Sequence, residues 1–119
     1  MKRREAREKA IQTLYQIDLA KLGWQEALAN VLDGKQADPF LENAVAGVME
    51  HLADIDQLIS SSLHNWRLER LAYIDRAILR LAVYELRFDQ MEHTPPQVVI
   101  NEAVELAKRF GTEDSGRFI

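Results

Sequence analysis

The segment from residue 74 to residue 88 constrains the fold of this chain more than any other feature. Apolar side chains occupy most of its positions, so a helix formed by it would be apolar nearly all round. Such a helix belongs at the centre of a bundle, because other helices have to bury its surface. The segment therefore predicts a helical bundle in which residues 74–88 form the most buried helix.

The polar side chains of this segment lie on one stripe. Arg76, Arg80, Tyr84 and Arg87 follow at spacings of four, four and three residues, which places them on one face of a helix. The stripe could bind a polyanion, or its arginines could pair with acids on neighbouring helices. We expect the second arrangement, with Tyr84 half-buried in the core, because a central helix must satisfy its polar groups internally.

Helical periodicity also runs through the rest of the chain. It predicts further helices over residues 3–21, 24–32, 38–65 and 97–110. Asp38 and Pro39 form the usual pair of N-cap and first helical residue, and Asp54 could re-cap the third helix and so kink or break it. Runs with the period of two that strands require are absent. A chain of 119 residues suits one domain, so the sequence predicts an all-α bundle of six to seven helices, a single domain over residues 1–119.

Charge is distributed unevenly along the chain. The whole chain has a formal net charge of −4, which by itself argues against binding nucleic acid. The first nine residues, however, carry five basic and two acidic side chains, a sum of +3, so the remainder carries −7. A basic end on an acidic body indicates a polyanionic ligand at that end.

The basic residues at this end are Lys2, Arg3, Arg4, Arg7 and Lys9. On a helix Arg7 is four residues from Arg3 and three from Arg4, so three guanidinium groups would share a face. Because the apolar pattern starts only after this turn, we expect the face to be open to solvent or to a ligand. Arginine suits phosphate because its planar fork donates two parallel hydrogen bonds. The alternative is a solvated terminus that Glu5 and Glu8 partly neutralise.

The segment from Thr112 to Phe118 offers a second binding feature. Thr112 is a typical N-cap, and Glu113 and Asp114 suit a first helical turn. Free backbone N–H groups at a helix start bind phosphate, and Phe118 could stack on a base. The alternative is that Phe118 is a core residue of the next helix. Because the sequence stops at Ile119, we expect the natural protein to continue into a further helix.

Features of several other functional classes are missing from the sequence. It has no cysteine, which excludes disulfides and thiol chemistry. His51, His64 and His93 lie in different segments without a second metal ligand at helical spacing, and no glycine-rich phosphate loop occurs. No apolar run approaches the ~18 residues of a membrane span or follows the basic start as in a signal peptide. We therefore expect a cytoplasmic protein without membrane contact, metal, cofactor or catalytic activity.

Three stretches resemble matching regions of the bacterial NusB family, in the same order. They cover residues 3–15, 76–86 and 99–118, and the third, which begins Val99-Ile100-Asn101-Glu102-Ala103-Val104-Glu105-Leu106-Ala107, is the most specific. The resemblance implies an all-helical fold with two small subdomains around a shared core. It also implies a transcription antitermination factor that binds boxA RNA together with NusE, a ribosomal small-subunit protein. Such a complex joins RNA polymerase with other Nus factors during ribosomal RNA synthesis.

The resemblance also assigns roles to individual positions. It implies an RNA surface made of the basic group Lys2, Arg3, Arg4 and Arg7 and of the terminal group Asp114, Ser115, Arg117 and Phe118. Tyr15 and Asp75 would face the protein partner. Family members continue past Phe118 with Asn-Gly-Val-Leu and one more helical stretch, which agrees with the expected absence of a last helical segment from this chain.

Three alternatives stay open at the level of sequence. A NusB-like domain is also the RNA-docking module of certain RNA cytosine methyltransferases, although those domains usually lack the pattern seen at residues 101–107. A helical adaptor without RNA contact is a second alternative. Faces reserved for a partner could also support a homodimer.

Overall fold

A computed structural model describes residues 1–63 and 67–111, and all regular structure in these two ranges is helical. The elements are α1 (Arg3–Ala20), α2 (Trp24–Leu32), α3 (Pro39–Glu50), α4 (Leu52–Ser62), a 3₁₀ turn (Leu68–Arg70), α5 (Tyr73–Arg87) and α6 (Pro96–Phe110). The prediction of an all-α fold is confirmed. The predicted helix ends agree with the structure to within one residue, except in the third helix.

The third predicted helix is two helices in the structure. α3 ends at Glu50 and α4 begins at Leu52, and His51 between them has φ −105° and ψ 19°. Asp54, where the break was expected, lies in the first turn of α4. The ring of His51 stacks on Phe88, with centroids 4.7 Å apart, so the break is held by a contact after the end of α5.

The start of α3 follows the sequence signal closely. The Asp38 side chain accepts hydrogen bonds from the backbone N–H groups of Phe40, at 2.8 Å, and Leu41, at 3.4 Å, while Pro39 opens the helix. This N-cap satisfies two donors that a helix start leaves free. It also places the buried ring of Phe40 next to the start of α1.

Helix α5 is central, as predicted. It packs against α1, α3, α4 and α6, and of its own residues only Leu86 and Arg87 are exposed. The prediction that it is the most buried helix is wrong when the fraction of buried residues is compared. Six of the fifteen residues of α5 are buried, whereas six of the twelve residues of α3 are. The reason is the arginine stripe, which keeps one side of α5 polar.

Two groups of helices share one core. α1, α2 and α3 pack on one another, and α4 and α6 pack on α5. Contacts of α5 with α1 and α3 join the groups, and the fully buried side chains of the shared core include Ile11, Val45, Ile55 and Ile78. This agrees with two small subdomains around a shared core. In the described part of the chain, no helix is long and apolar enough to span a bilayer.

Candidate nucleic-acid interface

The first turn of α1 carries two exposed arginines. Arg3 donates a hydrogen bond to Oε1 of Glu92 at 3.0 Å, and its guanidinium lies 4.1 Å from the ring centroid of Phe40. Arg4 donates from Nε and Nη2 to both carboxylate oxygens of Glu102, at 3.2 and 3.0 Å. The two arginine side chains are 45% and 59% exposed, so both can be reached from solvent.

Arg4 and Glu102 reinforce each other's charge. The hydrogen bond from Arg4 lowers the pKa of Glu102, and the same bond raises the pKa of Arg4. Glu102 is therefore ionised and Arg4 protonated at neutral pH. An anion that approaches Arg4 meets a cation whose fork is already occupied by a carboxylate.

Arg7 is not part of this exposed surface. Its side chain is 4% exposed and donates to both carboxylate oxygens of Glu85 on α5, with three N···O distances between 2.8 and 3.3 Å. Ala6 and Ala10, both at 0% exposure, show that the buried face of α1 begins inside the basic turn. The expectation that three guanidinium groups share an open face is therefore wrong for Arg7, because this side of α1 packs against α5.

A further exposed arginine joins this surface from the other end of the chain. Arg109, in the last turn of α6, forms an ion pair with Glu8 of α1 and is 54% exposed. Sequence reasoning missed Arg109 because its only signal was a basic last turn, Lys108-Arg109, which is common at the negative end of a helix dipole. With the exposed N-cap residue of α1, these arginines form what we call the basic rim: Lys2, Arg3, Arg4 and Arg109.

The terminal group of predicted RNA contacts lies outside the described residues. It comprises Asp114, Ser115, Arg117 and Phe118, and its assignment stays a prediction. Gly111, whose N–H bonds to the carbonyl of Ala107, ends the described chain only two residues after Arg109. The described part of the chain therefore ends beside the basic rim.

The second half of α1 presents an apolar surface. Tyr15 and Leu19, one turn apart, are 36% and 51% exposed. The Tyr15 ring meets the Tyr73 ring edge-on, with centroids 6.3 Å apart, and the guanidinium of Arg76 lies 4.6 Å from the Tyr73 centroid. We call Tyr15, Leu19 and Tyr73 the aromatic face. Leu19 and Tyr73 were missed in the sequence, although an apolar residue on the polar side of α1 was a usable signal.

Asp75, the other residue assigned to the partner surface, is buried. It is 2% exposed and lies in the first turn of α5, two residues after Tyr73. Tyr15 thus contacts Tyr73, which is two residues from Asp75 in the sequence, whereas Asp75 itself is shielded from solvent.

Two arginines of the α5 stripe, Arg76 and Arg80, have the structural role that was expected, whereas Arg87 is exposed and forms no ion pair within the described residues. Arg80 donates to both carboxylate oxygens of Asp56, at 2.8 and 3.0 Å, and to Asp18 at 2.9 Å. Arg76 donates to two backbone carbonyl groups in and just after the 3₁₀ turn. Tyr84 is buried at 5% exposure, deeper than the half-burial predicted. The stripe therefore ties α1 and α4 to α5.

The basic rim and the aromatic face suit binding of two different ligands. Guanidinium groups bind anions, and exposed aromatic rings bind protein surfaces. Arg4 and Tyr15 are eleven residues apart, close to three helical turns, so they lie on one side of α1 about 16 Å apart along its axis. Within residues 1–63 and 67–111, no group of three or more histidine, aspartate or glutamate side chains could hold a metal ion.

Comparison with known sequences matches nearly the whole chain to the NusB family. A sequence model of the NusB family matches residues 4–119. The transcription antitermination protein NusB of Exiguobacterium sp. is 54% identical over 119 residues, which is 100% of this chain and 91% of that protein.

Solved structures agree with this match. NusB of T. maritima is 38% identical, with a TM-score of 0.85 over 99% of this chain and 84% of that one. A chain in the crystal structure of antitermination factors NusB and NusE in complex with double-stranded RNA is 29% identical, with a TM-score of 0.81 over 98% of this chain and 88% of that one. The relatives are named for antitermination of transcription and not for a catalysed reaction. Sequence and fold together therefore show that this chain belongs to the NusB family of transcription antitermination proteins.

Proposed function

We propose that this chain binds boxA RNA together with the ribosomal protein NusE and supports antitermination in ribosomal RNA operons. It would act in the cytoplasm, in an RNA polymerase complex with other Nus factors. The observation that carries the proposal is the placement of the basic rim and the aromatic face along one side of α1. The structural neighbour solved with NusE and double-stranded RNA supports this pair of ligands.

The basic rim is the proposed RNA surface. Its arginine forks match phosphate oxygens, and guanidinium planes also stack on unpaired bases. The chain beyond the first nine residues carries −7, however, and repels RNA. Few cations on an acidic body give weak binding, so the protein needs a partner for tight association. Asp114, Ser115, Arg117 and Phe118 would extend this surface from Gly111.

The aromatic face is the proposed NusE surface. Tyrosine is enriched among the residues that dominate the binding energy of protein interfaces, and Tyr15 is 36% exposed here. In a homodimer, a second copy of the chain would occupy the same face, so binding of NusE would dissociate the dimer. The methyltransferase alternative is disfavoured because the Exiguobacterium relative, which is 54% identical over 119 residues, is named a transcription antitermination protein.

The test of this function is RNA binding with and without NusE. Fluorescence anisotropy of a labelled boxA RNA should show weak binding by the protein alone and much tighter binding when purified NusE is added. Tyr15→Ala should lower the affinity for NusE by at least fivefold, because truncating a central interface aromatic costs more than about 1 kcal/mol. Equal boxA affinity with and without NusE would contradict the proposal.

A matched variant separates a lost contact from a damaged fold. Val98 is 41% exposed on α6, so Val98→Ala removes a similarly exposed apolar side chain from a different helix. It should leave NusE affinity unchanged. A loss equal to that of Tyr15→Ala would place the partner surface elsewhere.

Salt dependence tests the basic rim itself. Each phosphate contact on single-stranded RNA contributes about 0.7 to the slope of log affinity against log salt. Arg3→Gln/Arg4→Gln should therefore flatten this slope by about 1.4, for boxA and for a scrambled RNA of equal length. The measurement is anisotropy over a series of salt concentrations.

The control removes two positive charges that lie outside the basic rim. Lys21 is the C-cap residue of α1, and Arg70 lies in the 3₁₀ turn before α5. Lys21→Gln/Arg70→Gln should keep the wild-type slope. If the arginine variant keeps it as well, the basic turn is only a solvated terminus.

A further inference from the structure

Every exposed arginine of the basic rim is paired with a carboxylate from another part of the chain. Arg3 bonds to Glu92, which lies between α5 and α6, and Arg4 bonds to Glu102 of α6. Arg109 of α6 bonds in the reverse direction, to Glu8 of α1. Each of these guanidinium groups is thus bound by one of the protein's own acids, and that of Arg4 is bound through two nitrogen atoms.

Glu102 occupies the fork of Arg4 in the geometry that a phosphate would use. Arg4 binds both oxygens of Glu102 through Nε and Nη2 at 3.2 and 3.0 Å, which is the bidentate arrangement that arginine also forms with phosphate. A carboxylate and a phosphate cannot hold the same edge of one guanidinium together. An RNA phosphate that binds this edge of Arg4 therefore has to displace Glu102.

The pairs are exposed enough to exchange. The arginine side chains are 45–59% exposed and their carboxylate partners are 18–40% exposed. Solvent-exposed ion pairs contribute little net stability, so a phosphate can replace the carboxylate at small cost. The pair between Arg7 and Glu85 differs, because both side chains are at most 4% exposed.

Aromatic rings hold two of these guanidinium groups independently of the acids. Arg3 lies 4.1 Å from the centroid of Phe40, and Arg109 lies 5.2 Å from the centroid of Phe110. Such cation–π contacts persist when a carboxylate is released. Arg3 and Arg109 are therefore held in place during the exchange.

We propose that Glu8, Glu92 and Glu102 are intramolecular competitors that occupy the basic rim in the free protein and are displaced by RNA phosphates. This inference rests on the proposed function. The acids weaken the binding of any polyanion to the rim. Only an RNA that gains further contacts, as with a protein partner present, then binds tightly.

The test compares single carboxylate removals near Arg4. Glu102→Gln should raise the affinity for a labelled single-stranded boxA RNA by about 1.5- to 5-fold at ~0.1 M salt, because it frees the Arg4 fork. Glu92→Gln should do the same for Arg3 and provides a second, more exposed variant. Glu5 lies next to Arg4 in the chain, but within the described residues it forms no ion pair. Glu5→Gln therefore removes equal charge without freeing a fork and should raise the affinity by a smaller factor.

A double-mutant cycle separates competition from general charge. In an Arg4→Gln background, Glu102→Gln should give no more gain than Glu5→Gln, since no fork remains to be freed. Thermal unfolding shows whether each variant is folded. The inference would be overturned if Glu5→Gln and Glu102→Gln raised the RNA affinity equally, or if the gain from Glu102→Gln were unchanged in the Arg4→Gln background. The proposed function would stand in either case, provided that the wild-type protein binds RNA. If the wild type binds no RNA, with or without NusE, both are overturned.

Discussion

Glu85→Ala is expected to lower the free energy of unfolding by about 3–5 kcal/mol, because it leaves the Arg7 guanidinium buried without its counter-charge. Arg7 and Glu85 are 4% and 3% exposed and are joined by hydrogen bonds as short as 2.8 Å. Urea unfolding followed by circular dichroism measures the change. Glu102→Gln, which breaks the more exposed pair between Arg4 of α1 and Glu102 of α6, should change stability by less than about 1 kcal/mol.

The double substitution Arg7→Met/Glu85→Leu gives the complementary result. Replacing both charges with apolar groups of similar size should restore most of the lost stability, since a buried pair adds little over good apolar packing. This variant should also keep the wild-type salt slope of RNA binding, because Arg7 is not exposed to phosphates. A loss of less than about 1 kcal/mol in Glu85→Ala would contradict the buried pair. A flatter slope of log affinity against log salt in the double variant would indicate that Arg7 does contact RNA.

Gly47→Ala should destabilise the protein, although the same change in an ordinary helix interior stabilises it. Alanine is favoured over glycine by about 1 kcal/mol in helices. At Gly47, however, an added Cβ would lie 2.2 Å from Cε1 of Tyr84 and 2.5 Å from its Cζ. Because the Tyr84 ring is buried where α3 packs on α5, we expect a net loss of about 1–3 kcal/mol. Thermal or urea unfolding gives the sign directly.

Two variants check that the loss comes from this contact. Gly23, the N-cap residue of α2, has no neighbour closer than 4.0 Å to an added Cβ, so Gly23→Ala should change stability by less than about 1 kcal/mol. In a Tyr84→Leu background, Gly47→Ala should be much less harmful, because the ring that it meets is gone. A stabilised Gly47→Ala protein would show that α3 and α5 are farther apart than described.

Some functional residues could be found from sequence because their signals are local. The basic turn with Arg3 and Arg4 and the exposed Tyr15 are recognisable from charge, helical spacing and family resemblance. Arg109 and Glu8 lack such a signal, since they meet only when α6 folds back beside α1, across 101 residues of sequence. Arg7 shows the opposite error: it has the same local pattern as Arg3 and Arg4 but lies on the side of α1 that packs on α5.

By itself, the sequence determined the helices of this protein, because helices depend on neighbours three and four residues away and on local caps. Asp38 and Pro39 start α3 and the period of residues 74–88 marks α5, whatever the rest of the chain does. Only the tertiary structure decided which charges face solvent, where α3 breaks and which acids cover the basic rim. Those outcomes depend on partners far apart in sequence, such as Arg7 with Glu85 and Arg4 with Glu102, separated by 78 and 98 residues. A spacing rule cannot assign such pairs, because the packing of α1 against α5 and α6 sets which side chains meet and how far water is excluded from them.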